Sequence, residues 1–294
     1  MMWRAIAVTA LAAAALPGRP ALAQQAVDQR RTAASDGLVE IENPAGSIRV
    51  LGWSKAEVGV TGTLGRRASL NLNGGGRRTH VEVEVAGNPH GARSEIEVHV
   101  PAGSRVSIES FAASITVAEV TGPVTAETVN GSVSIDGSSK EVSAEAVNGS
   151  VEVSGSPSRV HAGTVNGALT IRGARGDLEA NTVNGELRVT GGGLFERAHL
   201  ETVSGAIRFE GALAPHAELD AQTVSGSIEL DLPAGTAADF TVNTFSGDIN
   251  TDFGAALYRS GPHSHQKELT FSIGGGGAKV TIETLSGSIV LRKR

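Results

Sequence analysis

Residues able to carry out chemistry are thinly spread along this chain. Cysteine, at once a nucleophile and a soft metal ligand, is absent, which removes disulfides, thiolate metal sites and thiol catalysis together. The eight histidines are His80, His90, His99, His161, His199, His216, His263 and His265. Only His263 and His265 are spaced to share a metal, because alternate residues of a strand point to one face. Two ligands are too few for a site, and Pro262 with its neighbouring glycines predicts a solvated loop there. Glu127, Glu145, Glu179, Glu201 and Glu283 fall near equivalent positions of a repeat. A carboxylate row of this kind serves acid/base cleavage of polysaccharides, but such work needs paired acids, a cation beside them and aromatic rings to stack sugars. Ala162, Gln222 and Asn243 interrupt the row, and aromatics are 3% of the chain, so the row reads as an outward-facing polar position. Arg66, Arg67, Arg77 and Arg78 form the one basic cluster, a candidate for anionic lipid or glycan that reads as a solvated loop tip. The glycine runs at 74–76 and 274–277 are not phosphate loops, since no Gly-Lys-Ser/Thr follows and no helix begins; the glycine-and-aspartate repeat that binds calcium is also missing. The residues therefore predict no catalytic group, no cofactor and no metal site.

What organises the chain is a repeat. Asn130-Gly131, Asn148-Gly149, Asn166-Gly167 and Asn184-Gly185 recur every 18 residues. Ser204-Gly205, Ser225-Gly226 and Ser246-Gly247 follow at 20, 21 and 21, and Ser286-Gly287 comes after 40, close to two periods. That gap predicts a coil near residue 266 that has lost its signature or carries an insertion. Apolar residues alternate on both sides of each turn, as in Val142-Ser-Ala144-Glu-Ala146 and Val151-Glu-Val153, so the flanks are strands with one buried face. The residue before each turn is Val129, Val147, Val165, Val183, Val203, Val224, Phe245 or Leu285, and the one before that is Thr except at Ala146. Neighbours on a straight strand face opposite sides, so two adjacent typed positions predict a bend or bulge.

Two folds compete. Asn-Gly between alternating strands is a strong hairpin signal, and a meander of hairpins would put Glu145 opposite Glu152, an unfavourable like-charge pair. A β-solenoid explains why every turn shares its type: equivalent positions stack at roughly 4.8 Å, Val on Val and Asn on Asn. In that reading glycine supplies a positive φ at the corner. The expected fold is an all-β, single-domain β-solenoid (β-helix) with coils of about 18–21 residues. Its handedness is undetermined. Residues 37–110 are its irregular N-terminal coils and 111–294 its regular repeats. Phe195, Phe209, Phe240, Phe245, Phe253 and Phe271 cluster late, which suits a core that widens as the period grows. Residues 66–78 read as a mobile loop and 24–36 as a disordered polar linker.

The first 23 residues read as a secretory signal. Arg4 supplies the positive start, Ala5 to Leu16 an apolar run too short to span a bilayer, and Ala21-Leu22-Ala23 a small-x-small cleavage site. Cleavage before Gln24 removes two arginines and no acid, leaving 23 basic against 31 acidic residues. That balance gives no footing for nucleic acid, and no later stretch is long and apolar enough for a membrane span. The compartment expected is periplasmic or secreted.

Glu42-Asn-Pro-Ala-Gly-Ser-Ile-Arg-Val-Leu-Gly-Trp53 resembles the opening motif of the DUF4097 family of bacterial adhesin-like proteins. The recurring V-[NS]-G-[SADE]-[ILV] turns, the Pro-Ala-Gly segments at 101–103 and 233–235, and Val280-Thr-Ile-Glu-Thr-Leu-Ser-Gly-Ser-Ile289 are similar to that family's repeats and closing pattern. The resemblance implies a β-helical, exported protein of the bacterial envelope, and it carries over no catalytic or binding residues. The function expected is a non-enzymatic structural or interaction protein, its partner an envelope protein or surface glycan. A carbohydrate-active enzyme on a β-helix and a scaffold that associates end to end are the competing readings.

Overall fold

The computed structural model describes residues 25–87, 93–254, 258–259 and 267–294, and every regular element in them is a β-strand. Strands that precede the turns pair in parallel, in the register set by the spacing. Val124, Val142, Val160, Leu178, Ala198 and Leu219 lie side by side, as do Asn130, Asn148, Asn166, Asn184, Ser204 and Ser225. Strands that follow the turns form a second parallel ladder through Val133, Val151, Leu169, Leu187, Ile207 and Ile228. The meander does not form. Glu145 lies beside Glu127 and Gly163, whereas Glu152 lies beside Ser134 and Thr170 in the other ladder.

Each coil buries small side chains: Val142, Ala144, Val151 and Val153 are at most 3% exposed, and their counterparts in neighbouring coils are buried too. A buried Val or Ile contributes roughly 1.5–3 kcal/mol, so stability accumulates coil by coil and no large aromatic centre is needed. Where the period lengthens, Phe195, Phe209 and Phe240 fill the interior, and Phe271 stacks on Phe240 at 4.6 Å. Phe245 departs from this group and faces outward.

The turn glycines serve a different purpose from the one expected. Those at 131, 149, 167, 185, 205, 226 and 247 do not have positive φ. Each faces the backbone of the neighbouring coil. A Cβ on Gly167 would lie 2.1 Å from the Gly149 carbonyl oxygen, and one on Gly185 would lie 1.9 Å from that of Gly167. Close stacking of backbones therefore excludes a side chain. Asn side chains bridge the same coils: Asn148 Nδ2 donates to Asn130 Oδ1 at 3.0 Å, Asn166 to Asn148 at 2.9 Å and Asn184 to Asn166 at 3.0 Å.

Spatial order departs from sequence order at both ends. Strand Ala278–Ser286 lies between Ile207–Ser225 and Ala238–Ser246, parallel to both, so Ser286 stacks between Ser225 and Ser246. The long gap before Ser286 thus reflects no degenerate coil. Strand Lys267–Ile273 instead runs antiparallel along the outer edge of Ala238–Ser246. At the other end, residues 38–42 insert between 78–82 and 105–109, and strand Ala45–Trp53 between Ser94–Pro101 and Ala112–Ala118. In both places the inserted coil is paired on two sides, and other strands take the exposed edge position.

Two expected irregular segments are strands. Residues 25–32 run antiparallel to Glu57–Leu64 as the first half of strand Gln25–Glu42. Within this half the side chains are mostly exposed, so backbone pairing and not burial holds it, which hydropathy cannot show. Residues 68–78 belong to strand Ala68–Val85, whose glycines 74–76 take positive φ at an irregularity in its middle.

Candidate functional site

The Thr-Val pair before each turn defines one outer face. Register is kept across this position, and the pair splits between two sides. Thr164 is 5% exposed and Val165 37%. The threonines point inward, where Thr164 Oγ1 donates to the Gly149 carbonyl at 2.8 Å and Thr128 Oγ1 to that of Ala113 at 3.1 Å. The valines point to solvent. Stacked coil on coil, Phe111, Val129, Val147, Val165, Val183, Val203, Val224, Leu285 and Phe245 form a continuous apolar row, with Phe111 and Phe245, the most exposed, at its ends.

Two residues back along each strand, and so on the same face, runs an acidic row. Glu82, Glu42, Glu109, Glu127 and Glu145 are consecutive neighbours in it, followed by Gly163, Asn181, Glu201, Gln222, Glu283 and Asn243. Of the glutamates the sequence aligned, Glu179 belongs to the next row, beside His161 and His199. The true interruptions are Gly163 and Asn181 as well as Gln222 and Asn243; Ala162 is buried.

Charge sets this row apart. Among the described residues, no Lys or Arg forms a salt bridge with any of its acids; His80, His161 and His199 reach four of them, His161 Nε2 lying 3.2 Å from Glu145, and Asn243 Nδ2 donates to Glu283 at 3.3 Å. Burial, then the neighbouring Glu145 and Glu109 charges, hold the Glu127 carboxyl above its ordinary pKa. Further along the same strands the opposite pattern appears. Glu141, Arg159, Asp177, Arg197, Glu218, Lys279 and Asp239 alternate in sign from coil to coil. There Arg197 donates two hydrogen bonds to Asp177, at 3.0 and 2.9 Å, which hold that carboxyl below its ordinary pKa. The fold can thus neutralise a stacked row, and in the row beside the apolar residues it does not.

Apolar and acidic rows together line a groove of about 1270 Å³ from Glu82 and Pro44 to Val203, and a second hollow continues it past Val224 to Phe245 and Leu285. At its acidic end, Glu42, His80 and Glu82 bring three ligand atoms within 4.8 Å of one another, a set that suits a divalent ion. Parallel pairing of 38–42 with 78–82 assembles this trio from residues 40 apart, which sequence spacing could not reveal. The pair His263 and His265 lies outside the described residues. The arginine cluster is divided: Arg78 makes a two-pronged pair with Glu40 at 2.7 and 2.8 Å, and Arg77 lies 3.9 Å from Asp36.

Residues 198–292 match the family model described as Toastrack DUF4097. Solved structures similar to the chain include one from Bacteroides fragilis NCTC 9343, provisionally named an adhesin, at 10% identity and TM-score 0.48, covering 92% of this chain and 98% of its own. A second, from Parabacteroides distasonis ATCC 8503 and provisionally named a lipid-binding protein, shows 12% identity and TM-score 0.43, with 91% and 96% covered. A third, from Clostridium sporogenes ATCC 15579 and provisionally named a cell adhesion protein, shows 9% identity and TM-score 0.24, with 92% and 100% covered. Among curated proteins none matches the chain.

Proposed function

We propose that this chain, which bears the DUF4097 repeat over residues 198–292, is an exported β-solenoid that acts as a non-enzymatic, adhesin-like interaction protein of the cell envelope. One observation carries the reading: a nine-residue apolar row, exposed along the stack except at half-buried Val129, runs beside an acidic row that has no Lys or Arg partner among the described residues. Exposed apolar residues arranged contiguously and rimmed by charge mark a binding surface, because an unpartnered stripe of this kind costs solubility. Recognition would be spread over several coils, each adding one apolar and one polar contact. Hydrolysis of glycans has less support, since the groove acids have no Lys or Arg beside them among the described residues and its phenyl rings are Phe111 and Phe245, at its two ends.

The test is a pull-down of the mature protein from envelope extract, run beside a variant carrying Val147→Ser, Val165→Ser and Val183→Ser. A partner captured by the wild type and released by the variant supports the reading. Equal capture by both, or no capture by either, overturns it.

A further inference from the structure

The groove's two rows differ in chemistry and share one spacing, and together they specify an occupant. Resting on the reading above, we infer that the groove receives a cationic amphipathic helix of another protein, laid along the axis of the stack. Nine stacked apolar residues at roughly 4.8 Å per coil extend about 38 Å. A helix of about 25 residues covers that length at 1.5 Å per residue. Same-face positions on a helix recur every three or four residues, about 5 Å apart, close to the coil spacing. An extended peptide repeats every roughly 6.7 Å on one face and loses step with the coils within a few residues. With a pitch of about 5.4 Å the helix drifts only about 0.6 Å per coil, so it keeps one apolar side chain against each of about four successive coils, where an extended peptide slips within two.

Charge fixes the second property. Glu42, Glu109, Glu127, Glu145, Glu201 and Glu283 flank the apolar row without a Lys or Arg partner, while the row four residues earlier on the same strands, through Glu141, Arg159, Asp177 and Arg197, is internally neutralised. A helix with Lys or Arg beside its apolar stripe would supply the missing cations, and anionic lipid or nucleic acid would meet repulsion. At the middle of the row Gly163 carries no side chain, and a Cβ there would meet nothing nearer than 3.8 Å. That opening lets the helix settle where flanking carboxylates can reach around it.

The experiment uses the protein and a labelled 25-residue model helix with leucines on one face and lysines flanking them, read by fluorescence anisotropy. Three controls accompany it: the same helix with glutamate for lysine, a scramble of identical composition, and zwitterionic and anionic vesicles. Saturable binding of the Leu/Lys helix alone is expected. Glu127→Gln with Glu145→Gln should weaken it about tenfold and flatten its salt dependence. Gly163→Phe should weaken it at least as much by filling the groove, and its unchanged thermal unfolding would show an intact fold. Glu141→Gln, in the neutralised row, should change affinity less than twofold. Equal binding of the scramble, or indifference to the groove variants, overturns the inference. Vesicle binding abolished by the same variants would overturn this occupant while leaving the groove as the interaction surface. Indifference of both peptide and envelope partner to them would remove both.

Discussion

Replacing Gly167 by alanine tests whether backbone contact between coils, and not turn geometry, selects glycine at the corners. The new Cβ would lie 2.1 Å from the Gly149 carbonyl oxygen, against an ordinary contact of 3.4–4 Å. The opposing atom belongs to backbone locked in the ladder, so it cannot swing away. Gly185 holds the same relation to Gly167 from the other side, with 1.9 Å available. Accommodation requires the coils to part by about an ångström, stretching the Asn166–Asn148 bridge of 2.9 Å beyond hydrogen-bond range. Overpacking costs roughly 1–3 kcal/mol, and losing one hydrogen bond about 1 more. Against this stands roughly 0.4–1 kcal/mol from the less flexible unfolded chain. The net destabilisation expected is about 2–3 kcal/mol. Gly235→Ala is the control, because nothing lies within 4 Å of its Cβ and its φ is not positive; it should be neutral or slightly stabilising. Urea unfolding followed by circular dichroism measures both. With a slope of roughly 3 kcal/mol/M, Gly167→Ala should lower the midpoint by about 0.7–1 M. A midpoint equal to that of the wild type would refute the close-stacking argument.

Other substitutions test the remaining parts. Ala146 stands in the threonine row between Thr128 and Thr164, so Ala146→Thr should gain a hydrogen bond to the coil before it and stabilise by about 1 kcal/mol in the same urea assay. Glu127→Gln should stabilise at neutral pH. The raised folded pKa of Glu127 means that protons bind more tightly to the native state, so stability falls as pH rises from the ordinary glutamate value through the folded one. The gain should therefore vanish in acid below that window, which midpoints measured across pH will show. Asp177→Asn should behave in reverse. Its wild-type carboxylate, held low first by the Arg197 hydrogen bonds, contributes stability above the ordinary aspartate value and loses it as pH falls through the folded pKa, so the variant's deficit should disappear in strong acid. Phe240→Ala removes a buried ring stacked on Phe271 and should cost about 3–5 kcal/mol by calorimetry or urea.

Period and residue type carried much of this protein's description. An 18-residue recurrence of Asn-Gly, with Val at fixed offsets, is enough to place Asn166 against Asn148 and Val160 against Val142, because parallel stacking brings equivalent positions together. Alternation marked Val142, Ala144, Val151 and Val153 as core for the same local reason. Where backbone and not side chain made the contact, the pattern was silent: residues 25–32 pair through their amides with exposed side chains, and nothing in their composition shows it.

The sequence by itself determined an all-β chain, its turns, its inward residues and the resemblance to DUF4097 that the match over 198–292 bears out. Tertiary structure alone decided which neighbour each coil takes. It placed 278–286 between two coils that sequence order would have made adjacent, and 38–42 between 78–82 and 105–109. It also decided what the typed positions do. Thr164 and Val165 are neighbours in sequence with one spacing, and only the path of the strand sends one to a carbonyl in the core and the other to solvent. The groove exists because stacking repeats that outward valine and the glutamate two residues before it from coil to coil. A period read along one chain fixes which residues recur. The pleat and the stacking direction fix which face they share.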